Sequence, residues 1–241
     1  MPRIALPFPV LPGVSDEHAK DGPAKLFRSR PAEYAESRRR LGVTMERAYL
    51  QKTPMGSFVV AYIESERPSS EFMGEIGASN LDIDKEFLRL VKEIHGFDPS
   101  QPTGGPQPET IGEWTDPDVR KRGRGMAFTA PLIPGTTDKG RAFSREAFET
   151  RKDELTASRR ALRENVEVVT LVPTPQGDVI AVYLEGEDAF ETNRRFAAST
   201  APYDVWFKDQ LKTIFPPFID FGQPVPGVEE FFDSQALLAK A

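Results

Sequence analysis

Two short stretches, FVVAYI at 58–63 and VIAVYL at 179–184, are apolar at every position. A strand with one wet face alternates apolar and polar residues, so these two predict strands covered on both sides. Each follows another predicted strand, at 45–51 and 166–172, and the links KTPMG and PTPQG have the composition of hairpin turns. Shorter apolar strands are predicted at 4–11 and 126–133, each closed by Pro-Gly, where Pro sets φ and Gly admits a sharp turn. Ser15 with Asp16 and Glu17, and Thr137 with Asp138, then offer capping oxygens and negative charge to a helix start. Phe27, Tyr34 and Leu41, and in the later segment Phe148, Leu155 and Leu162, recur at a spacing of seven, which is one helical stripe. Pro31 should bend or restart the first helix; Lys152 stands at the matching place, which predicts a straighter second one. Further helices are predicted around Phe87, Leu88, Val91 and Ile94, and around Trp206, Phe207, Leu211 and Ile214. Pro-rich segments at 99–108 and 216–227 lead into short strands at 109–114 and 228–233.

The pattern runs twice. PFPVLPG at 7–13 answers TAPLIPG at 129–135, SRRRLG at 37–42 answers SRRALR at 158–163, and TPMGSFVVAYIESE at 53–66 answers TPQGDVIAVYLEGE at 174–187. Ala78-Ser79, Asp84 and Phe87 match Ala198-Ser199, Asp204 and Phe207. An offset of 120 to 122 is a duplicated domain, far too long for a solenoid repeat. The order in each half is β-α-β-β-α-β, so the expected fold is α+β: two tandem ferredoxin-like units. The expected boundaries are a first unit at 1–117, a basic linker at 118–125 and a second unit at 126–241.

The stretch EYAESRRRLGVTMERAYLQKTPMGSFVVAYIESE at 33–66 resembles a widespread bacterial family of small, largely uncharacterised proteins similar to the dimeric α/β-barrel superfamily. The resemblance implies two ferredoxin-like units packed sheet to sheet around a cavity, here supplied by one chain. The superfamily includes cofactor-independent monooxygenases, isomerases and cyclases, and haem-dependent enzymes, so the resemblance implies an architecture and not a reaction. Chlorite-dismutase-like haem proteins hold their haem by a histidine of the second half. This chain has only His18 and His95, both in the first half, and no cofactor is expected.

Composition narrows the classes. Hydrophobic residues make up 39% and charged residues 28% of 241, an ordinary balance for a packed core. The net charge of −6 argues against nucleic acid as a partner. The basic cluster VRKRGRG at 119–125 is read as a solvated linker. No apolar run approaches a membrane span, and the start MPRIALPFPVLPG is read as a strand and not a signal peptide. The absence of cysteine excludes disulfides and thiolate chemistry and fits the cytoplasm; two distant histidines make no metal site. No G-x-G-x-x-G, P-loop, H-E-x-x-H or G-x-S-x-G motif occurs.

Candidate ligand residues come from the matched strands. Glu46 and Glu167 share one slot, and alternation puts Glu46 with Ala48 and Leu50, against Met45, Arg47 and Tyr49 on the other face. An acid facing a covered layer should be paired or raised in pKa. Tyr62 with Glu64, and Tyr183 with Glu185, share a face of the next strand. Trp206 stands where the first half has Glu86, and Arg47 and Tyr49 stand where the second has Val168 and Thr170, an asymmetry that favours the first half as the reactive one. His18, just after the first Pro-Gly turn, is a candidate base; its plain reading is a helix-start histidine. His95 ends a helix, where the dipole suits an imidazolium. Arg30 with Glu33, and Arg151 with Glu154, have the spacing of ion pairs at a rim. Asp84 and Asp204 read as helix-entry acids. Three classes follow: a protein binding a small polar or aromatic molecule between two sheets, a cofactor-independent enzyme using that cavity, or a structural protein with a filled barrel. The first two predict a cavity of about 300 Å3 or more beside Tyr62 or Tyr183. Sheet edges leave a homodimer open.

Overall fold

The computed structural model describes residues 1–98 and 105–238, with all side chains among them but those of 69, 70, 72 and 73. The first half runs β1 (Arg3–Pro9), α1 (Asp16–Ser29), α2 (Pro31–Leu41), β2 (Val43–Thr53), β3 (Gly56–Ser65), α3 (Ser69–Gly77), α4 (Asp82–His95) and β4 (Glu109–Thr115). The second runs β5 (Arg124–Pro131), α5 (Thr137–Arg145), a π-helical turn (Glu146–Thr150), α6 (Lys152–Leu162), β6 (Glu164–Val172), β7 (Val179–Gly186), α7 (Ala189–Ala198), α8 (Pro202–Leu211), β8 (Val228–Asp233) and a short α9 (Gln235–Leu238). Helices α3 and α7 go beyond the expected β-α-β-β-α-β order. The expected Pro-rich segment at 99–108 lies, over 99–104, outside the described residues.

Two four-stranded antiparallel sheets result, with orders β1-β3-β2-β8 and β4-β6-β7-β5. The hairpins form as the sequence predicts, with Gly56 and Gly177 both near φ +120°, where a side chain would be strained. The last strand of each half, however, joins the other half's sheet. β4 lies beside β6, with Gly112 opposite Val169, and β8 lies beside β2, with Phe232 opposite Ala48. The compact units are therefore 1–107 with 227–241, and 108–226. They differ from the expected 1–117 and 126–241, because strand pairing and not chain order decides membership. The first core gathers Phe27, Tyr34, Leu50, Ile83, Ile94 and Phe232; the second gathers Trp114, Phe148, Leu155, Leu171, Phe207 and Ile214. Each such buried side chain contributes about 1.5–3 kcal/mol.

Local rules explain the helix ends, with two corrections. Ser15 caps α1 by accepting from the His18 N–H at 3.1 Å. Thr137 does not cap α5: its hydroxyl donates to Asp178 at 2.5 Å and no side chain caps the helix. The second helix is not straighter than the first. It breaks at Arg151 (φ −104°, ψ 30°), as the first breaks at Arg30 (φ −132°, ψ 56°). The break thus needs no proline. It turns the guanidinium back onto the next turn, Arg30 onto Glu33 and Arg151 onto Glu154.

Candidate functional site

One polar network is built the same way in both units. In the first, Arg38 of α2 is buried and its Nε donates to Glu46 of β2. Glu46 also accepts from the Tyr34 hydroxyl at 2.7 Å. Arg38 reaches the Ser37 hydroxyl at 2.9 Å, and Ser37 and Ser79 donate to the two oxygens of Asp84 at 2.6 and 2.5 Å. In the second, Arg159 holds Glu167 at 2.7 Å, and Ser158 and Ser199 each donate to Asp204 at 2.5 Å. Burial works against charge on each arginine, but the neighbouring glutamates outweigh it and raise both guanidinium pKa values. Asp84 and Asp204 are therefore not simple helix-entry acids; their carboxylates tie the helix to the preceding α2 or α6. Presence in both units marks this network as part of the fold.

What differs between the units is the size of matched side chains. A cavity of about 110 Å3 lies in the first unit between the sheet face of Ala48, Ala61 and Ile63 and the helical residues Ala24, Phe27 and Phe87. Ala48 and Ala61 face each other across β2 and β3. Val169 and Val182 face each other at the same place in the second unit. Glu46, Arg38, Arg47 and His95 supply the polar groups that border the cavity. His95 is buried, and its Nδ1 lies 2.8 Å from the Pro9 carbonyl. Burial lowers its pKa, partly offset by that carbonyl, so the ring is neutral at pH 7. The imidazolium expected from the helix dipole is corrected here: burial favours the neutral ring.

No family model matches the chain, and no curated protein matches it. Among solved structures the chain aligns over 95% of its length, and over 88% of the other chain, with an anthrone oxidase-like protein at TM-score 0.50 and 9% identity. In fold, the chain is similar to that protein. A protein described as a monooxygenase, from Fusobacterium nucleatum subsp. nucleatum, aligns over 96% of this chain and 92% of its own at TM-score 0.43 and 10% identity. The first likeness supports the α+β fold of two ferredoxin-like units; at such identity it carries no chemistry.

The structure distributes the sequence-predicted residues over several places. Glu46 alone among the acids borders the cavity, with Arg47 beside it. Arg47 points its Nε to Asp233 at 2.9 Å. Tyr49 is buried, and Tyr62, opposite Arg47 in the strand register, donates to Glu64 at 2.6 Å. Glu64 also pairs with Arg3 at 3.3 Å. In the second unit Tyr183 donates to Glu185 at 2.6 Å, and Glu185 takes Arg122 at 2.8 Å and the Gly123 N–H at 3.0 Å. The basic cluster is thus no free linker: Arg122 is an ion-pair partner and Arg124 begins β5. Glu167 belongs to the Arg159 network. Trp206 lies under the Arg151 guanidinium at 3.8 Å, in the slot where Glu86 pairs with Arg30 at 3.1 Å, so a cation–π contact replaces an ion pair. His18 is half-buried and meets Glu93 at 2.9 Å. Neither Tyr62 nor Tyr183 borders the cavity, which is also smaller than the expected 300 Å3. Among the described residues no group of three or more His, Cys, Asp or Glu could hold a metal ion, and no helix is long and apolar enough to cross a membrane.

Sequence reasoning missed Arg38 and Arg159, although a Ser-Arg pair followed by Glu eight residues on occurs in both halves. It also missed Glu164, where the first unit has Val43. Glu164 is buried, has one oxygen with no hydrogen-bond partner, and sits 3.7 Å from Arg159. Burial, then the Glu167 charge, raise its pKa well above 4.5, with Arg159 only partly opposing. A raised folded pKa gives stability that is full at pH below 4.5 and is lost as pH rises from there. Glu164→Val should therefore be more stable than the parent at pH 7, by about 1–3 kcal/mol. The gain should shrink toward pH 4. Denaturant melts at several pH values test this; a variant less stable than the parent at pH 7 contradicts it.

Proposed function

We propose that the protein binds a small, mainly apolar molecule of about one aromatic ring in the first unit's cavity. The observation that carries this reading is the facing pair Ala48 and Ala61, where the second unit has Val169 and Val182. Protein interiors are close-packed and a void costs stability. Two methyl-poor positions opposite one another in one unit are best accounted for by an occupant. The volume, about 110 Å3, is of the order that takes a single ring and below the roughly 300 Å3 of sites for drug-sized ligands. The reading keeps the expected small-molecule role and moves it from a space between two sheets to the helical face of the first. It also rests on taking the two units as copies of one ancestral unit, of which one kept its space.

The test is to refill that space. Toluene titrated into the intact protein should shift the NMR signals of residues around Ala48, Ala61 and Phe87. The double variant Ala48→Val/Ala61→Val should weaken binding more than tenfold and hold or raise the melting temperature. Equal binding by both proteins, or no shifts in the parent, sinks the reading.

A second reading is a cofactor-independent enzyme acting on the bound molecule. Neutral His95 at the cavity wall supports it as an acid-base group, and the fold likeness to an anthrone oxidase-like protein is compatible with it. A fused three-ring anthrone outgrows the space, so the substrate on this reading is smaller.

A further inference from the structure

Resting on the cavity reading, we infer that His95 is the residue that sets ligand specificity, accepting at Nε2 a hydrogen bond from a hydroxyl on the bound ring, so that the ligand class is a small phenol. The tautomer follows from the Pro9 carbonyl. A carbonyl oxygen only accepts, so the Nδ1 atom 2.8 Å from it carries the hydrogen. In a neutral imidazole the other nitrogen then offers its lone pair. His95 borders the cavity, and among the described residues its Nε2 has no hydrogen-bond partner. The burial that keeps the ring neutral also keeps Nε2 an acceptor at pH 7.

Comparison of the units singles His95 out. Arg38 and Glu46 also border the cavity, but the same pair recurs as Arg159 and Glu167 in the second unit, so it belongs to the fold. Arg47 is drawn to Asp233. At the position of His95 the second unit has Phe215, buried and packed 5.5 Å from Phe221. The polar wall group and the two facing alanines therefore occur together in one unit and are both replaced in the other. The rest of the wall is rich in aromatic rings, Phe8, Phe27, Phe87 and Phe232 among them. Such a wall suits a flat ring met edge to face. An apolar body with one hydrogen-bond donor at its edge fits that wall.

Toluene and phenol differ by a methyl for a hydroxyl and make the test. Their dissociation constants are measured by NMR titration on the intact parent and on His95→Phe, a substitution the second unit already carries at its matching position. The ratio of the toluene constant to the phenol constant should fall about tenfold in His95→Phe, the value of one hydrogen bond; the ratio cancels the space that the larger ring takes from both ligands. In the parent, the 15N signal of His95 Nε2 should move with phenol and stay with toluene, a readout that survives if the variant fails to fold. An unchanged ratio in a folded variant, or an Nε2 signal indifferent to phenol, overturns this inference and leaves the cavity reading standing. If toluene does not bind the parent, the cavity reading falls first.

Discussion

Arg159→Met should destabilise the protein by about 3–5 kcal/mol, measured as a lowered denaturation midpoint at pH 7. Arg159 is 2% exposed and is the cation facing Glu167 at 2.7 Å, Glu164 at 3.7 Å and Asp204 at 3.9 Å. Methionine keeps the volume and the contacts with Phe196 and Phe207, over whose rings the guanidinium lies. It removes the charge, so buried carboxylates must take up protons or stay uncompensated. Adding Glu164→Val and Glu167→Leu to Arg159→Met should recover part of the loss, since the cost comes from stranding partners and not from losing an attraction. Arg38→Met should cost less, because the Glu46 side chain is 18% exposed and water can share its charge. A loss under about 1 kcal/mol for Arg159→Met would refute this account of the network.

Ending the chain at Pro226 should unfold the first unit and spare the second. The deletion removes β8 from the edge of β2, and with it Phe232 from the core, the Asp233 partner of Arg47, and the Ser234 hydroxyl that accepts from the Glu46 N–H at 2.8 Å. Losing one buried phenylalanine side chain alone costs about 3–5 kcal/mol. The second unit, 108–226, keeps all four of its strands in one continuous segment. Hydrogen exchange should then show fast amides through β1, β2 and β3 and slow ones through β6 and β7. Uniform protection at parental levels in both sheets would contradict the strand order.

Where the sequence was legible, the physics was local. Ser15, the Gly56 and Gly177 turns and the unbroken apolar runs of β3 and β7 each act within a few residues of themselves. Pro31 misled because it stood at a break that both units make. Helices α3 and α7 were hidden: Pro68, Gly74 and Gly77 break up the pattern of the first. The exchange of β4 and β8 was out of reach, because both read as the same kind of strand. For the site, the expectation that Glu46 would be paired was sound, and its partner Arg38 stood in the repeated Ser-Arg pair. For the space, asymmetry was sought among reactive residues, Arg47 and Tyr49, while the matched side chains that differ at the cavity of the first unit differ in size: Ala48 and Ala61 against Val169 and Val182.

The swapped strands also set an order of events at the ribosome. The β2 edge emerges early, yet its partner at 228–233 follows only after β3 to β7, a wait of roughly 10–35 s at ordinary elongation rates. During that wait β4 is a nearby rival, but it carries Gly112 where β8 carries Phe232. In its own place Gly112 is required, since a Cβ there would lie 2.7 Å from the Phe148 ring. Beside β2 it would leave the nascent core one aromatic ring short. The same glycine thus admits β4 to one sheet and makes it a poor substitute in the other, where Phe232, Asp233 and Ser234 together fit β8 to β2.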